Sequence, residues 1–421
     1  MRQSNYCLID CNQFFVSCEQ LFNPKLRNRP VVVLSNNDGC VVARSAQAKA
    51  LNIPMGAPFY QCAEFFKRHD VFVCSSNYAL YGDLSQRVMA VLQHFSPDLE
   101  EYSIDEAFML LKEGDPMALA QEIQRTVLQW TGIPVSLGIG PTKTLAKVAN
   151  DIAKNNRLKR GLCALIEEEE IRTTLTALPV EAIWGIGSRL GSTLRGAGLF
   201  YAEALREASD AQIQRLGSVT LLRTVWELRG IPSLSLQEQP LSRQSITRSR
   251  SFGTHTSAWS DLAEALSTYT AQALEQLREE KLLPSFLTVF LMTSAFAVNT
   301  YSDSTALKLI EPTHYTPTVI ALAKEGLQKI YRSGYVYKKV GVILGGLTPE
   351  ESFQPDLFTP PSGNREKHSR AMQLCDQLNQ SFGKRTLHFA AEGTTQRWKM
   401  RQENVSPRFT TEWKELLTIR I

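Results

Sequence analysis

The sequence predicts an α+β protein of several domains, and three observations support this prediction. The chain has 421 residues, which is more than a single hydrophobic core usually holds. Strand-like and helix-like patterns follow one another in the order β, α, β, β, α, β up to residue 154, with a long insertion after the first strand. The same order returns after residue 242. This order is typical of the ferredoxin-like split arrangement.

The first pattern occupies residues 1–12 and 79–165, and residues 13–78 form the insertion. An apolar run, "YCLID", ends at Asp10. Apolar residues at helical spacing predict two helices, and a third follows near residue 143. The remaining elements are predicted as strands at 98–104, 107–111 and 134–140, and as helices through 84–95, 119–128 and 143–154.

Two carboxylates, Asp105 and Glu106, stand side by side in "YSIDEAF", between two apolar strands. In the split arrangement the third strand lies antiparallel between the first and the second. The end of the first strand and the turn before the third therefore share one edge, and neighbouring strands are about 4.8 Å apart. Taken alone, the pair is more typical of an exposed acidic turn. The position of Asp10 favours convergence of the three carboxylates.

Converging carboxylates repel one another unless cations neutralise them. Oxygen ligands in a partly open site favour Mg²⁺, and two such ions could clamp the attacking and leaving oxygens of a phosphoryl transfer. We therefore expect two Mg²⁺ ions at this edge. Arg44, Lys49 and Lys154 could together neutralise a triphosphate opposite the metals, although each alone is an ordinary solvated charge.

Residues 166–234 are predicted to be a separate helical lobe. In "LPVEAIWGIGSRLGSTLRGAG", Gly185 and Gly187 predict a tight turn before a short helix. Backbone N–H groups at such a turn bind phosphate without reading sequence. An ordinary helical hairpin is the alternative. The polar stretch 231–242, which contains proline, is predicted to be a linker.

The second β, α, β, β, α, β pattern covers residues 243–348. Alternation in "QSITRSRSF" places Arg248 and Arg250 on one strand face. If that face is open, it could follow a DNA backbone; a solvated strand is the alternative. Residues 349–421 are less regular and are predicted to form a C-terminal tail that binds partners. Within it, "QPDLF" suits docking into a partner groove.

Composition narrows the class of protein. Charged residues make up 21% and apolar residues 43%, which is typical of a globular chain. The net charge is only +4, so a basic surface must be local. The eight cysteines form no CxxC pair, which favours reduced thiols over a zinc site. No apolar run is long enough for a membrane span. We expect a cytoplasmic protein without a membrane partner.

Motifs in the chain resemble the Y-family translesion DNA polymerases. "LIDCNQFFVSCE", "YSIDEAF", "GIGPTKTLAKVANDIAK" and "WGIGSRLGSTLRGAG" occur in that family's order. "VVVLSNNDGCVVARSAQAKALNI", "SSNYALYGDLS", "VWELRGIPSLSLQ" and the terminal "SPRFTT" resemble its UmuC subgroup, the catalytic subunit of bacterial DNA polymerase V and its mobile-element relatives. The resemblance spans nearly the whole chain.

The resemblance implies a right-hand architecture. Its parts are a ferredoxin-like palm (1–12 and 79–165), small fingers (13–78), a thumb with a helix-hairpin-helix (166–234), an α/β little finger (243–348) and the tail (349–421). It implies template-directed addition of deoxynucleotides past damage in the SOS response, near the nucleoid. The implied partners are primer–template DNA, dNTP, a sliding clamp, a processed UmuD-like dimer and a RecA filament.

Residue roles follow from the same resemblance. Asp10 and Asp105 would hold Mg²⁺ through their side chains, Cys11 through its backbone carbonyl, and Glu106 would complete the metal site at the primer 3′-hydroxyl. The other implied roles are the steric gate against a ribose 2′-hydroxyl at Phe15, stacking beside the sugar by Phe14, triphosphate contacts by Arg44, Lys49 and Lys154, and clamp binding by Gln354, Leu357 and Phe358.

Two other functions are weighed against a polymerase. A nucleotidyl cyclase can use a similar palm and metal pair, but it has no need of residues 178–198 or of a second sheet domain. A catalytically weak scaffold that binds damage and recruits the clamp would not need the three carboxylates. The presence of Asp10, Asp105 and Glu106 favours an active polymerase.

Overall fold

The computed structural model describes residues 5–111, 114–237, 243–354 and 365–418. The chain forms two compact units. The first comprises Met1–Ser35, Gly39–Pro240 and Asn404–Ile421, and the second comprises Asn36–Asp38 and Leu241–Glu403. None of the described helices combines the length and the apolar character that crossing a membrane requires.

The described residues form fourteen strands and fourteen α-helices. The strands are β1 Asn5–Cys11, β2 Val31–Leu34, β3 Val41–Arg44, β4 Phe72–Ser75, β5 Leu99–Glu101, β6 Glu106–Leu111, β7 Val135–Gly140, β8 Leu162–Ala164, β9 Ser245–Thr256, β10 Leu282–Leu283, β11 Phe286–Thr293, β12 Ser302–Lys308, β13 Tyr337–Gly345 and β14 Thr348–Pro349. The α-helices are α1 Phe14–Phe22, α2 Ala46–Ala50, α3 Phe59–Arg68, α4 Tyr78–Gln93, α5 Pro116–Thr131, α6 Lys143–Asn155, α7 Glu168–Ala177, α8 Ser188–Gly196, α9 Ala202–Glu207, α10 Asp210–Leu216, α11 Val219–Leu228, α12 Trp259–Glu279, α13 Thr316–Ile330 and α14 Arg365–Phe382.

The central sheet of the first unit has the strand order β5-β6-β1-β7-β8. β1 pairs antiparallel with both β6 and β7, and Asp10 lies directly opposite Glu106. The predicted split arrangement is therefore present, with the third strand of the pattern between the first two. Directly opposite residues of an antiparallel pair project from the same face. The sheet thus brings the end of β1 and the start of β6 together.

Helix α6 covers the face of the sheet on which Asp10 lies. Tyr6 and Leu8 of β1 share a buried cluster with Ala146 of α6. The helix approaches β7 so closely that a Cβ at Gly138 would lie 2.1 Å from the backbone nitrogen of Asn150. Only glycine permits this contact, and it places the later turns of α6 beside the end of β1.

The insertion after β1 builds a small sheet with the order β3-β2-β4. Its strands pack on α2 and α3 around a separate apolar cluster that includes Val32, Val41 and Phe66. Helix α2 begins after Ser45, whose side chain accepts a hydrogen bond from the Ala48 N–H.

Residues 168–228 form a helical lobe around one apolar core, which α6 also contacts. The predicted turn is present before α8. Gly185 has φ +88°, in the left-handed region that favours glycine, and Gly187 is the residue before the first turn of the helix.

The sheet of the second unit has the order β12-β11-β13-β9. It has the same succession of elements as the first sheet, but the last strand lies between the first and the second. Helices α12 and α13 cover one face, where Leu287, Val289 and Val342 are buried. The other face carries alternate residues such as Phe290 and Lys339.

Arg248 and Arg250 lie on the helix-covered face, so the prediction of an open basic face is wrong for them. They alternate in phase with the buried residues Ile246 and Phe252. Arg248 donates a 2.6 Å hydrogen bond to Gln276 of α12. The sequence showed the alternation of the strand but not which side the helices would cover.

Residues 365–418, assigned from the sequence to a C-terminal tail, lie within the two folded units. In the second unit, Asp376 of α14 forms an ion pair of 2.6 Å with Arg278 of α12, and Trp398 is buried against Tyr269. Residues 404–418 pack on the first unit.

Candidate active site

A tight connection carries the chain from β1 into α1. The Asn12 N–H donates to the Pro134 carbonyl at 2.8 Å, and the Asn12 side-chain oxygen accepts from the Ser136 hydroxyl at 2.8 Å. Gln13 then turns the chain with a φ of 50°. The helix starts immediately afterwards, and Phe14 and Phe15 border a cavity that Asp10 also borders.

The turn between β5 and β6 is organised by one serine. The Ser103 hydroxyl donates to Asp105 Oδ1 at 2.7 Å and accepts from the backbone N–H groups of Asp105 and Glu106. The Cys11 N–H donates to the Asp105 carbonyl at 2.8 Å. These bonds tie the acidic turn to the end of β1.

Two lysines of α6 neutralise two of the three carboxylates. Lys154 forms an ion pair with Asp10, which is only 5% exposed, and Lys147 lies 3.1 Å from Glu106. Burial raises the pKa of Asp10 to about 7, Lys154 opposes this rise, and the neighbouring Glu106 adds to it. Asp10 and Glu106 thus lie close enough to repel one another.

The chemistry of these side chains fits a hard divalent cation. The site offers carboxylate oxygens from Asp10, Asp105 and Glu106, which is the ligand type that Mg²⁺ prefers. Within the described residues, no three His, Cys, Asp or Glu side chains already enclose a metal-sized space. The ammonium groups of Lys147 and Lys154 supply the positive charge that balances Glu106 and Asp10.

Asp10 and Asp105 border an open cavity of about 1220 Å³. It contains most of the side chains predicted for metal and nucleotide binding. Its walls include Asp10, Cys11, Phe14, Phe15, Arg44, Lys49, Asp105 and Lys154. Glu106 lies behind them, paired with Lys147.

The two phenylalanines differ in their surroundings. Phe14 is 3% exposed and belongs to the core of the first unit. The Phe15 ring stacks on Tyr81 of α4, with centroids 4.6 Å apart and planes 15° from parallel. Tyr78 meets the edge of the Phe15 ring at 6.0 Å. Phe15 therefore lies on an aromatic support at the cavity wall.

The predicted phosphate-binding cations are placed unequally. Arg44 donates to the Ile53 carbonyl, and Lys49 is exposed at the cavity wall. Arg125 and Arg160 also border the cavity and were not predicted. A single surface arginine forms no sequence pattern from which a role in the cavity could be predicted. Its position depends on how the insertion after β1 packs against the central sheet.

Comparison with known proteins identifies the family. Residues 9–151 match the impB/mucB/samB family, residues 243–357 match its C-terminal domain, and residues 369–419 match a domain of unknown function, DUF4113. Protein UmuC of Salmonella typhimurium is 42% identical over 99% of this chain and 100% of its own length. Protein MucB of Escherichia coli is 36% identical over 98% of each chain. The chain belongs to the UmuC-type Y-family DNA polymerases.

More distant relatives and solved structures agree with this assignment. DNA polymerase IV of Moorella thermoacetica is 28% identical over 92% of this chain and 96% of its own. A Y-family polymerase chimaera of Dbh and Dpo4 superposes with a TM-score of 0.65 at 22% identity, covering 82% of this chain and 99% of that one. The protein is a DNA-directed DNA polymerase of the error-prone translesion type, and the alternative of a weak scaffold is not favoured.

The UmuC-type polymerase has one further site residue that the sequence analysis missed. Lys147 bridges Glu106 and two aromatic rings, with its ammonium 4.8 Å from the centroid of Tyr102 and 5.3 Å from that of Trp184. Lys147 and Lys154 are seven residues apart and so share one face of α6. The seven-residue spacing is the feature of the sequence from which Lys147 could have been predicted as a site residue.

Gly185 and Gly187, for which DNA binding was predicted, do not line this cavity. Gly187 has open space around the position of a Cβ, at the start of α8. Gln354 is exposed, whereas Leu357 and Phe358 fall outside the described residues.

Proposed function

We propose that Asp10, Asp105 and Glu106 form the nucleotidyl-transfer site, where a deoxynucleotide is added to a DNA primer opposite a damaged template. The observation that carries this proposal is the approach of Asp10 to the acidic turn, beside a cavity large enough for a nucleotide. Asp10 lies opposite Glu106 in the register of β1 with β6, and Asp10 and Asp105 both border the cavity.

We propose two Mg²⁺ ions as the cofactor. Asp10 and Asp105 would hold them through their side chains and Cys11 through its carbonyl, while Glu106 would complete the position at the primer 3′-hydroxyl. When bound, such ions lower the pKa of the attacking hydroxyl and stabilise the leaving oxygens. Until then, Lys154 and Lys147 keep the carboxylates neutralised.

The cations of the cavity wall are proposed to receive the triphosphate. Lys154 is the first candidate because it lies at the metal edge, and its side chain is still 32% exposed. Arg44 and Lys49 border the same cavity on the side of the insertion. Phe15 is proposed to exclude a ribose 2′-hydroxyl sterically, and Phe14, which borders the same cavity, is proposed to stack beside the sugar.

DNA binding is proposed for the turn before α8, where Gly185 and Gly187 leave backbone N–H groups accessible to phosphate. One solved neighbour, Dbh, is described as an insertion ternary complex and aligns at 21% identity with a TM-score of 0.53. Arg248 and Arg250 are not part of this proposal, because they face the helices.

Partners are proposed from the family and from one motif. Gln354, Leu357 and Phe358 would dock on a sliding clamp, and the likeness to UmuC supports a UmuD-like dimer, a RecA filament and an SOS role at the nucleoid. The exposed position of Gln354 is compatible with docking.

The test is primer extension opposite an abasic site with Asp105→Asn and Glu106→Gln. Both changes keep size and remove charge, so we expect extension to fall by about 10²–10³-fold or more. DNA affinity, measured by fluorescence anisotropy, should stay near the wild-type value. The exposed Glu101→Gln in neighbouring β5 is the matched control and should extend normally. Undiminished extension by either site variant would remove the assignment.

A further inference from the structure

A hydrogen-bond network connects residues near the C-terminus to the ring that supports Phe15. Glu19 of α1 is 3% exposed. Its Oε1 accepts a hydrogen bond from the Tyr81 hydroxyl at 2.7 Å and another from the Ser406 hydroxyl at 3.0 Å. The Tyr81 ring is the one on which Phe15 stacks. Ser406 is therefore two hydrogen bonds and one ring contact away from Phe15.

A second set of contacts holds the same segment against α4. The Asn77 side-chain oxygen accepts from the Leu80 N–H at the start of α4. Its amide nitrogen donates to the carbonyls of Ser406 at 2.9 Å and Pro407 at 3.2 Å. The residues after Asn404 thus pack at the first turn of the helix that carries Tyr81.

The segment also contacts α1, the helix that carries Phe15. Phe409 stacks on Phe22 with centroids 4.7 Å apart and planes 8° from parallel. The backbone N–H of Ser75 donates to the Asn404 carbonyl at 2.9 Å. Residues 404–409 therefore join α1, α4 and the end of β4, all in the first unit.

Rejection of a single hydroxyl group requires the gate ring to stay in place within a fraction of an ångström. A phenyl ring has no polar atom of its own with which to be anchored. Its position depends on the neighbour it stacks on, and that neighbour, Tyr81, is anchored at its hydroxyl by Glu19. A looser Tyr81 would let Phe15 move aside when a ribose enters.

We propose that Ser406, acting through Glu19 and Tyr81, positions Phe15 and so sets the selectivity for deoxyribose over ribose. This inference rests on the proposed role of Phe15 as the steric gate. It assigns a task to the end of the segment matched by the domain of unknown function, residues 369–419. Ser406, Glu19 and Tyr81 are positioning residues and do not touch the nucleotide.

The experiment compares kcat/KM for a dNTP and for the matching rNTP in single-nucleotide insertion by the full chain. Ser406→Ala and Tyr81→Phe each remove one hydroxyl. Loss of one such hydrogen bond should lower the dNTP-to-rNTP ratio by about three- to tenfold. Ser406→Thr keeps the hydroxyl and should retain the wild-type ratio. Lys414→Ala, an exposed change in the same segment, should behave as wild type.

The double variant Ser406→Ala/Tyr81→Phe tests whether the two hydroxyls act through one path. Its ratio should match that of the more affected single variant, because residues in one network are not additive. Fully additive losses would overturn the proposed path. Equal losses of kcat/KM with both sugars would also overturn it. They would show that these contacts stabilise the structure without a role in the selectivity for deoxyribose over ribose.

Phe15→Ala, measured in parallel, separates this inference from the gate assignment. If Phe15→Ala admits ribonucleotides while folded Ser406→Ala and Tyr81→Phe keep the wild-type ratio, only the positioning role is overturned. If Phe15→Ala itself leaves the ratio unchanged, the gate assignment falls and the positioning role falls with it. Circular dichroism of each variant confirms folding.

Discussion

Asp10 is the residue at which burial and charge oppose each other most strongly. Its carboxylate lies in a partly apolar edge of the sheet, and burial alone would favour the protonated acid. Lys154 compensates by supplying an ammonium at contact distance. The same position that makes the charge costly makes it a strong ligand, because a poorly hydrated carboxylate gains more from a cation.

Lys147 shows how one residue can join two parts of the site. It neutralises Glu106 and lies over the rings of Tyr102 and Trp184. A cation over an aromatic face gains about 0.5–1 kcal/mol at exposed sites. The ammonium is therefore held at the acidic turn from two sides.

The first prediction at the residue scale concerns Phe15. Phe15→Ala removes the ring that fills the cavity wall above Tyr81, so a ribose 2′-hydroxyl no longer meets a steric barrier. We expect the preference for dNTP over rNTP to fall by about 10²-fold or more, which corresponds to the cost of a steric clash of about 3 kcal/mol. Competitive single-nucleotide insertion measures the ratio.

Tyr60→Ala provides the comparison for that measurement. Tyr60 is also aromatic, but it is exposed on α3 and does not line the cavity. Its loss should leave the Phe15-dependent barrier in place. An unchanged sugar ratio in Phe15→Ala would refute the steric role.

At the scale of elements, α6 determines where the cations meet the carboxylates. Its position on β7 is set by the close contact at Gly138 and by Asn150, whose amide donates to the carbonyls of Leu8 and Ser136. These bonds link the helix to β1 and β7 at once. Lysines seven residues apart on this helix then reach two different acids.

Glu227 of α11 anchors the start of α6. Its Oε2 accepts from the Thr144 N–H at 3.1 Å, and its Oε1 accepts from the N–H groups of Ser233 and Leu234. The side chain is fully buried. A carboxylate at a helix N-terminus is also favoured by the helix dipole. One residue thus joins α6, α11 and the chain that follows α11.

Glu227→Gln is predicted to weaken this junction. The glutamine amide keeps the shape of the glutamate side chain, but its NH₂ group would face a backbone N–H. Two donors then oppose each other, and the buried donor left without an acceptor lowers the free energy of unfolding by about 1–3 kcal/mol. Hydrogen exchange of the first turns of α6 should accelerate correspondingly. The exposed Glu207→Gln in α9 is the control. Exchange rates equal to those of wild type would contradict the anchoring role.

At the scale of the whole molecule, the two compact units contain different features. The first contains the carboxylates, the cavity and the residues near the C-terminus that pack on α1 and α4. The second contains the sheet β12-β11-β13-β9 with α12, α13 and α14. The chain between α11 and β9 was predicted as a linker, and residues 238–242 of it lie outside the described residues.

Clamp dependence is the prediction at this scale. Replacing Leu357 and Phe358 by alanine removes the apolar anchors of the pentapeptide, and loss of such anchors typically weakens an interface by about tenfold or more. We expect stimulation of primer extension by the sliding clamp to disappear while extension without the clamp is unchanged.

A chain with the five residues 354–358 in reversed order serves as a second variant of equal composition. It should behave like the alanine variant, since docking depends on the order of anchors. Replacement of the neighbouring Ser362 by alanine should leave stimulation intact. Full stimulation of the alanine variant by the clamp would exclude docking through these residues.

The sequence by itself determined the elements and the convergence of the acids. Apolar spacing located the principal helices and strands of both sheets, and the topology rule for the split arrangement placed Asp10 opposite the turn at Asp105 and Glu106. This worked because strand alternation and helical periodicity are local properties, and because short connections permit few arrangements of such elements.

Only the tertiary structure decided which face of each element is covered and which distant segments meet. Alternation showed that Arg248 and Arg250 share a face, but packing of α12 made it the inner one. The pairing of Lys147 with Glu106, and of Ser406 with Glu19, joins residues 41 and 387 positions apart. Such contacts depend on how complete elements pack against one another, and no local pattern in the chain encodes them.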